Sequence, residues 1–323
     1  MRILVTGGAG FIGSHVVDAL LTRRHSVAVL DDLSSGNRAN IPSDVPLHLV
    51  DVCDPEKVRS VFDEVRPEAV FHQAAQLSVS RSVRDPVFDA RVNLLGILHI
   101  LENSVRIGTG KIVFASSGGV LYGDVYEPAP ESAPCDPISP YGISKWASEQ
   151  YLRFFSREHG LKAVALRYAN VYEPRQNPHG EAGVVAIFAQ TMLAGQGVVV
   201  NGDGRYLRDY VYVGDVASAN VLALERDLPE AFAAFNIGTG TATDVNELAA
   251  QMRTACMAHS QAPGRSVDIP LPRHGPARAG DLRSSVISYR KATDLLGWRP
   301  TVALADGVRK TIEWFAGSGR SGP

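Results

Sequence analysis

The run Thr6-Gly7-Gly8-Ala9-Gly10-Phe11-Ile12-Gly13 constrains the fold of this chain more than any other feature. It follows an apolar stretch, Ile3 to Thr6, and opens a segment of helical period, Phe11 to Thr22, with glycines at 7, 10 and 13. A strand that turns so tightly into a helix leaves backbone N–H groups and a helix N-terminus where a pyrophosphate can approach without meeting Cβ atoms. The alternation continues along the first half. Candidate strands are Ser26 to Leu30, Leu47 to Val50, Ala69 to Phe71, Lys111 to Ala115 and Ala163 to Leu166, and candidate helices are Pro55 to Val65, Pro86 to Val105 and Tyr141 to His159. Short runs of Val, Ile and Leu separated by helices predict buried parallel strands with crossovers. The expected fold class is α/β, a doubly wound parallel sheet of Rossmann type with a smaller C-terminal α/β substrate lobe.

The second candidate strand ends at Asp31-Asp32, where a carboxylate can accept hydrogen bonds from ribose hydroxyls and would repel a 2′-phosphate. NAD is therefore the expected cofactor, with NADP kept open by Asn37 and Arg38 in the following loop. Asp51-Val52, at the end of the third strand, is placed to read an adenine edge, or alternatively to cap the helix that begins at Pro55.

Tyr141 and Lys145 lie one helical turn apart on the same face. A phenol is a poor base at neutral pH, but a nearby ammonium favours the phenolate, which suits hydride chemistry on an alcohol. Ser116-Ser117 follows the fifth strand at the carboxyl edge of the sheet, where a hydroxyl can meet the reacting oxygen. A Tyr-x-x-x-Lys spacing alone is common on amphipathic helices. Its value comes from the order in which glycine fingerprint, serine pair and Tyr/Lys pair occur.

After about Asn170 the alternation gives way to longer polar loops, with helices expected at Val184 to Ala194, Val213 to Glu225, Asp244 to Ala258 and Leu304 to Phe315. We expect a cofactor domain over 1–170, with segments around 211–238 returning to it, and a lobe over 171–323 that holds mainly the substrate. Loops are expected at Ala262 to Arg265 and Leu271 to Gly280, with a frayed tail from Gly317. The net charge of -2 offers no basic footprint for nucleic acid, and no apolar run is long enough to span a bilayer. Cys53, Cys135 and Cys256 are far apart and show no metal-ligand spacing, and the N-terminus shows no secretory pattern, so a cytoplasmic chain with no metal site is expected.

These motifs resemble the extended short-chain dehydrogenase/reductase family, within it the NAD-dependent epimerases and dehydratases of nucleotide sugars. The resemblance spans nearly the whole chain, through Thr6 to Gly13, Asp31-Asp32, Asp51-Val52, His72 to Gln76, Asn93, Ser116-Ser117, Tyr141 to Lys145, Leu166 to Tyr172, Arg208 to Val211 and Arg278 to Leu282. It implies that Tyr141 is the base, that Lys145 lowers its pKa and holds the nicotinamide ribose, and that Ser117, rather than Ser116, binds the sugar 4-oxygen. It further implies an NAD site made of Gly7, Gly10, Phe11, Ile12, Gly13, Asp31, Asp32, Asn37, Asp51, Val52, Gln73, Ala74, Ala75, Gln76, Asn93, Tyr141, Lys145 and Ala169. On the substrate side it implies Ser117, Tyr141, Asn170, Val184, Arg208, Arg278 and Asp281, the arginines meeting a diphosphate with guanidinium forks.

The reaction so implied is a 4-epimerisation of a UDP-hexose, between UDP-glucose and UDP-galactose, through a transient 4-keto sugar. A dehydratase of this family carries an Asp-Glu pair after its Ser or Thr, where this chain has Gly118-Gly119. A reductase and a non-catalytic nucleotide-binding sensor are compatible with the same fold and stay open at this point. Ser285 stands where glucose-restricted members carry a bulky aromatic, which implies room for an N-acetyl group. Glu173 replaces a usual glycine, and the serine segment reads one residue longer than the commonest form. By the same resemblance Pro86 to Val105 and Tyr141 to His159 would pair two copies into a homodimer through a four-helix bundle.

Overall fold

The computed structural model describes residues 1–172, 174–176, 183–260, 268–277 and 281–318. Seven parallel strands form its central sheet: β1 (Arg2–Thr6), β2 (Ser26–Asp31), β3 (Leu47–Leu49), β4 (Ala69–His72), β5 (Lys111–Ser117), β6 (Lys162–Tyr168) and β7 (Phe232–Ile237). Their spatial order is β7-β6-β5-β4-β1-β2-β3. The order runs outward in both directions from the β1–β4 pair, so a crevice opens beyond the carboxyl ends of those two strands. The principal helices are α1 (Phe11–Thr22), α2 (Pro55–Val65), α3 (Gly96–Ile107), α4 (Pro140–His159), α5 (Val184–Leu193), α6 (Val213–Glu225), α7 (Val245–Ser260) and α8 (Leu304–Ser318).

Alternation along each strand feeds two cores. Ile3 and Val5 of β1 join Phe71, Val113 and Phe235 against α1 and α6, while Leu4 joins Val70 and Phe114 against α2, α3 and α4. Each buried aromatic or branched aliphatic side chain contributes about 1.5–3 kcal/mol relative to exposure, so both faces of the sheet are strongly held. A third core, built from Tyr172, Phe188, Met192, Met252 and Ile312, lies among α5, α7 and α8. A short parallel pair, Asn170–Tyr172 with Tyr210–Tyr212, leads into it from the main sheet.

The structure departs from the sequence expectations at two places. The single helix expected over Pro86 to Val105 is a short helix at Pro86–Ala90, a π-type turn at Arg91–Leu95, and then α3. The wider turn brings the buried Asn93 side chain inward, where its Nδ2 donates to the Gln76 carbonyl and to Asp89 Oδ1, each at 3.0 Å. Short helices at Val79–Arg84 and Gly118–Leu121 lie in segments with no helical period to reveal them. Within the segment expected to return to the first domain, β7 is a full edge strand of the main sheet, paired with β6 from Phe232 to Ile237. Residue 173, the loop 262–265 and the tail 319–323 lie outside the described residues. Among the described residues no helix is long and apolar enough to cross a membrane.

The turn between β1 and α1 is sterically closed. Gly7 has φ of +67°, and a Cβ there would lie 2.5 Å from the Ala74 nitrogen. A Cβ on Gly13 would overlap the Gly7 carbonyl oxygen. Gly13→Ala therefore forces β1 and α1 apart despite alanine's better helix propensity. The expected outcome is a loss of about 1–3 kcal/mol in chemical denaturation, together with weaker retention of bound dinucleotide.

Candidate active site

The crevice at the switch point continues into a cleft of about 1180 Å³ between the sheet edge and the second lobe. One wall is the β1–α1 turn. Gly10 is the N-cap of α1, and no side chain caps that end. A Cβ on Gly10 would meet only the Gly7 carbonyl, at 3.2 Å, and the uncapped first turn of α1 borders the cleft. Such an end attracts an anion through both its free N–H groups and the helix dipole. Gly7, Gly10, Phe11, Ile12 and Gly13 all line the cleft.

Asp31 does two things at once. Its Oδ2 accepts from the Ala9 N–H at 2.9 Å and its Oδ1 from Leu33 N–H at 2.8 Å, so the carboxylate ties the glycine turn to the end of β2 while lining the cleft. Burial raises its carboxyl above the ordinary range, against those two N–H donors. Asp32 is exposed and also lines the cleft, its Oδ1 accepting from the backbone N–H and hydroxyl of Ser34. Asp51 and Val52 line it as well; the cap of α2 is Asp54, whose Oδ1 accepts from Lys57 N–H, so Asp51 is not used as that cap. Asn37 does not line the cleft. Its Oδ1 accepts from Ala39 N–H within its own turn, and Arg38 spends its guanidinium on the carbonyls of Ile41, Pro42 and Ser43. Neither residue is placed to meet a 2′-phosphate.

The loop after β4 forms the facing wall, with Gln73, Ala74, Ala75 and Gln76 all on the cleft. Gln73 Nε2 donates to Asn220 Oδ1 at 3.1 Å, and its Oε1 is buried with no hydrogen-bond partner. An orphaned acceptor at a cleft wall is what a ligand donor would satisfy. Asn93 lies behind this wall and holds Gln76 in place: its Oδ1 accepts from Gln76 N–H at 3.0 Å, and it does not reach the cleft itself. The open helix end, the orphaned Gln73 oxygen and the strand-end carboxylates together fit a dinucleotide with a diphosphate centre and ribose ends.

Tyr141, Lys145 and Ser117 converge on the middle of the cleft. Burial pushes the Tyr141 phenol up to about 12, against the Ser117 hydroxyl that hydrogen-bonds to it. Lys145 is buried, its Nζ donating to the Ala115 carbonyl at 2.8 Å and lying 5.7 Å from the Tyr141 ring centre. Burial pulls this ammonium down to about 8, against the anionic influence of Asp89 and Glu149. The phenol is thus perturbed first by its dry surroundings and by Ser117. The resemblance implies that Lys145 lowers this pKa; Lys145 is not among the influences on it here.

The two serines have separate duties. Ser116 Oγ donates to the buried Glu149 Oε1 at 2.5 Å, while the Ser117 hydroxyl faces Tyr141. Sequence reasoning misses Glu149, although it continues the Tyr141, Lys145 stripe by one more helical turn. It misses Asp89, four residues before Asn93, in the same way.

Asn170, Ala169, Val184, Arg208 and Asp281 all line the second-lobe end of the cleft. Asn170 Nδ2 donates to the Asp209 carbonyl at 3.3 Å, and Val184 begins α5 beside Gly183. Arg208 bridges to Asp281, NH2 to Oδ1 at 3.0 Å, and its NH1 donates to the Leu207 carbonyl at 2.9 Å. Arg278 lies outside the described residues.

The comparisons with known proteins agree with this geometry. The profile of the NAD dependent epimerase/dehydratase family matches residues 3–238. The chain is 44% identical over 322 residues to a UDP-glucose 4-epimerase of Mycolicibacterium smegmatis, covering 98% of each. It is 48% identical to a UDP-glucose 4-epimerase of Thermotoga maritima solved with UDP-glucose, with a TM-score of 0.92 over 98% of this chain and 99% of the other. A UDP-glucose 4-epimerase of Thermus thermophilus solved in complex with NAD is 49% identical, with a TM-score of 0.90 over 98% and 100%.

Exchanging the serines separates scaffold from chemistry. Ser116→Ala leaves the buried Glu149 short of a donor and is expected to cost about 1–3 kcal/mol of stability with active-site chemistry otherwise intact. Ser117→Ala is expected to leave the unfolding midpoint within error and lower kcat by about 10²–10³. Parallel denaturation and initial-rate measurements check both.

Proposed function

Because the chain belongs to the NAD dependent epimerase/dehydratase family, we propose that it is a nucleotide-sugar 4-epimerase that interconverts UDP-glucose and UDP-galactose. The observation that carries this reading is the meeting of the Tyr141 phenol and the Ser117 hydroxyl midway along one cleft, between an open helix N-terminus and the Arg208–Asp281 pair. NAD, when bound, supplies a reversible hydride acceptor for the carbon that carries the reacting hydroxyl.

The chain's own residues supply the rest. The N-terminus of α1 with Gly10, Phe11 and Ile12 would hold the dinucleotide diphosphate, Asp31 and Asp32 a ribose, and Asp51 with Val52 the adenine. Tyr141 Oη takes the proton from the sugar 4-hydroxyl and later returns one to the 4-oxygen. Ser117 Oγ holds that oxygen in place on either face of the ring. The Lys145 ammonium, once it turns from the Ala115 carbonyl, favours the phenolate and meets the adjoining ribose. Arg208 and Arg278 hold the substrate diphosphate, with Asn170, Val184 and Asp281 along the nucleoside. An anchor at the diphosphate leaves the hexose free to present either face to Tyr141 without leaving the cleft.

Two features bear on the choice among family reactions. A Cβ on Gly118 would meet Ile287 Cδ1 at 2.7 Å, so an acidic side chain there would require repacking, which counts against dehydration. A Cβ on Gly119 would lie 4.0 Å from Ser117 Oγ, Asn170 Nδ2 and Ser285 Oγ. The room beside the reacting oxygen is therefore bounded by small polar groups. This supports acceptance of N-acetylated UDP-hexosamines, although Ser285 itself, donating to the Gly119 carbonyl at 3.2 Å, lies behind the cleft wall.

The proposal extends to assembly and location. Val83, Val87, Ile143 and Phe154 are 62%, 78%, 53% and 45% exposed on the helical segment 79–90 and on α4. Apolar side chains presented so fully are expected to be covered, here by a second copy through a four-helix bundle. The cytoplasm is the proposed site of action, supported by three free thiols. The division into a cofactor domain over 1–170 and a substrate lobe over 171–323 is proposed as functional shorthand, since β7 crosses it.

Purified protein incubated with UDP-galactose and no added reductant should yield UDP-glucose with no net NADH absorbance. Tyr141→Phe should lower that rate by at least about 10² while leaving bound NAD in place. No conversion of UDP-glucose, UDP-galactose or UDP-N-acetylglucosamine would overturn the reading. Sedimentation equilibrium is expected to report a dimer that Val87→Asp combined with Phe154→Asp dissociates.

A further inference from the structure

Asp89, on the short helix Pro86–Ala90, is fully buried and has no salt-bridge partner among the described residues. Its Oδ1 accepts from Gln76 Nε2 at 2.8 Å and Asn93 Nδ2 at 3.0 Å, and its Oδ2 accepts from Ser144 Oγ at 2.7 Å. Three donors converge on this buried carboxyl, an arrangement that suits a carboxylate, whose oxygens only accept. The charge is thus fixed in the protein interior against the residue that immediately precedes Lys145. Resting on the assignment of Tyr141 and Lys145 above, we propose that Asp89 is a positioning residue that acts through its charge, keeping the Lys145 ammonium protonated.

The other groups facing Lys145 cannot do this as well. Glu149, on the same helix, is shared with Arg167, whose NH2 lies 2.7 Å from its Oε2, so much of its field is cancelled. His72 of β4 is buried, its Nδ1 hydrogen-bonded with Thr6 Oγ1 at 2.7 Å; burial, with Lys145 beside it, takes its pKa down to about 3, so it stays neutral. Tyr141 on the same helix is also neutral at pH 7. Asp89 is the uncompensated anion of the set, and burial of Lys145 is opposed by Asp89 first and Glu149 second.

A lysine is charged below its pKa, and removing a nearby anion lowers that pKa. Asp89→Asn deletes the charge while keeping every hydrogen bond: the amide oxygen faces Gln76 and Asn93, and the amide nitrogen donates to the Ser144 hydroxyl, which can accept. The readout is the ¹⁵N resonance of Lys145 Nζ in lysine-labelled protein, assigned with Lys145→Arg and followed through pH.

Wild type should titrate near 8, and Asp89→Asn lower by about one unit or more, with the alkaline limb of kcat moving the same way. Ser144→Ala, which keeps the charge and loses one hydrogen bond, should titrate where wild type does. Equal titration in wild type and Asp89→Asn overturns the proposal, as does a Ser144→Ala shift as large as that of Asp89→Asn, since the role would then be geometric. If Asp89→Asn fails to fold, Asp89→Ser, which deletes the same charge in a smaller side chain, takes its place in the same titration: a lowered Lys145 value sustains the proposal and an unchanged one overturns it. The resonance needs no turnover, so failure of the epimerase reading would be seen separately, in the absence of sugar conversion.

Discussion

The reacting end of the molecule depends on one buried ion pair. Glu149 and Arg167 have side-chain exposures of 1% and 4%, so neither charge has water to fall back on, and separating them would leave an uncompensated ion in the core. Arg167 also donates from NH1 to Tyr122 Oη, which donates to Asn236 Oδ1. Ser116 joins the same carboxylate. Through these contacts α4, β5, β6 and β7 share a single register. The distance between Ser117 and Tyr141 is inherited from that arrangement, and a slip of any one element would unpair several buried polar groups at once.

The other end of the cleft is governed by sterics. Gly7 lets the turn approach the loop after β4, and Gly13 lets α1 approach the turn, so closely that no methyl fits, and Asp31 draws the turn onto the end of β2. The helix terminus is left bare by geometry and faces a loop whose Gln76 is fixed from behind by Asn93 and Asp89. The two ends meet at Asp89, which touches the cofactor wall through Gln76 and the catalytic helix through Ser144.

Much of this is legible in the sequence where chemistry and period coincide. The glycine spacing, the strand-end acids and the Tyr141, Lys145 pair stand on elements whose apolar patterns are clear, and the structure brings them to one edge. Residues that act from behind are harder to read. Asp89, Ser144 and Glu149 are polar positions on helices with exposed faces, and polarity at such positions ordinarily means contact with solvent. Only the fold shows that they turn inward. The π-type turn at Arg91–Leu95 is hidden for a related reason, since an inserted residue leaves the apolar run of Pro86 to Val105 looking continuous. Asn37 and Asn93 show the converse, in that residue type and position suggest contact with a ligand while each side chain is spent on the backbone or side chains of the protein itself.

The place of β7 in the sheet has a consequence for synthesis on the ribosome. It pairs with β6 across Phe232 to Ile237, but some sixty residues, among them α5 of the second lobe and α6 of the main-sheet core, are made between the two strands. Until they have emerged, the outer backbone edge of β6 has no neighbour and Asn236 is not there to receive Tyr122. The nascent nucleotide-binding half must therefore wait, with an open edge suited to pairing with other chains, while much of its companion is translated. The interleaved path also means that neither half can be exchanged between relatives as a simple cassette.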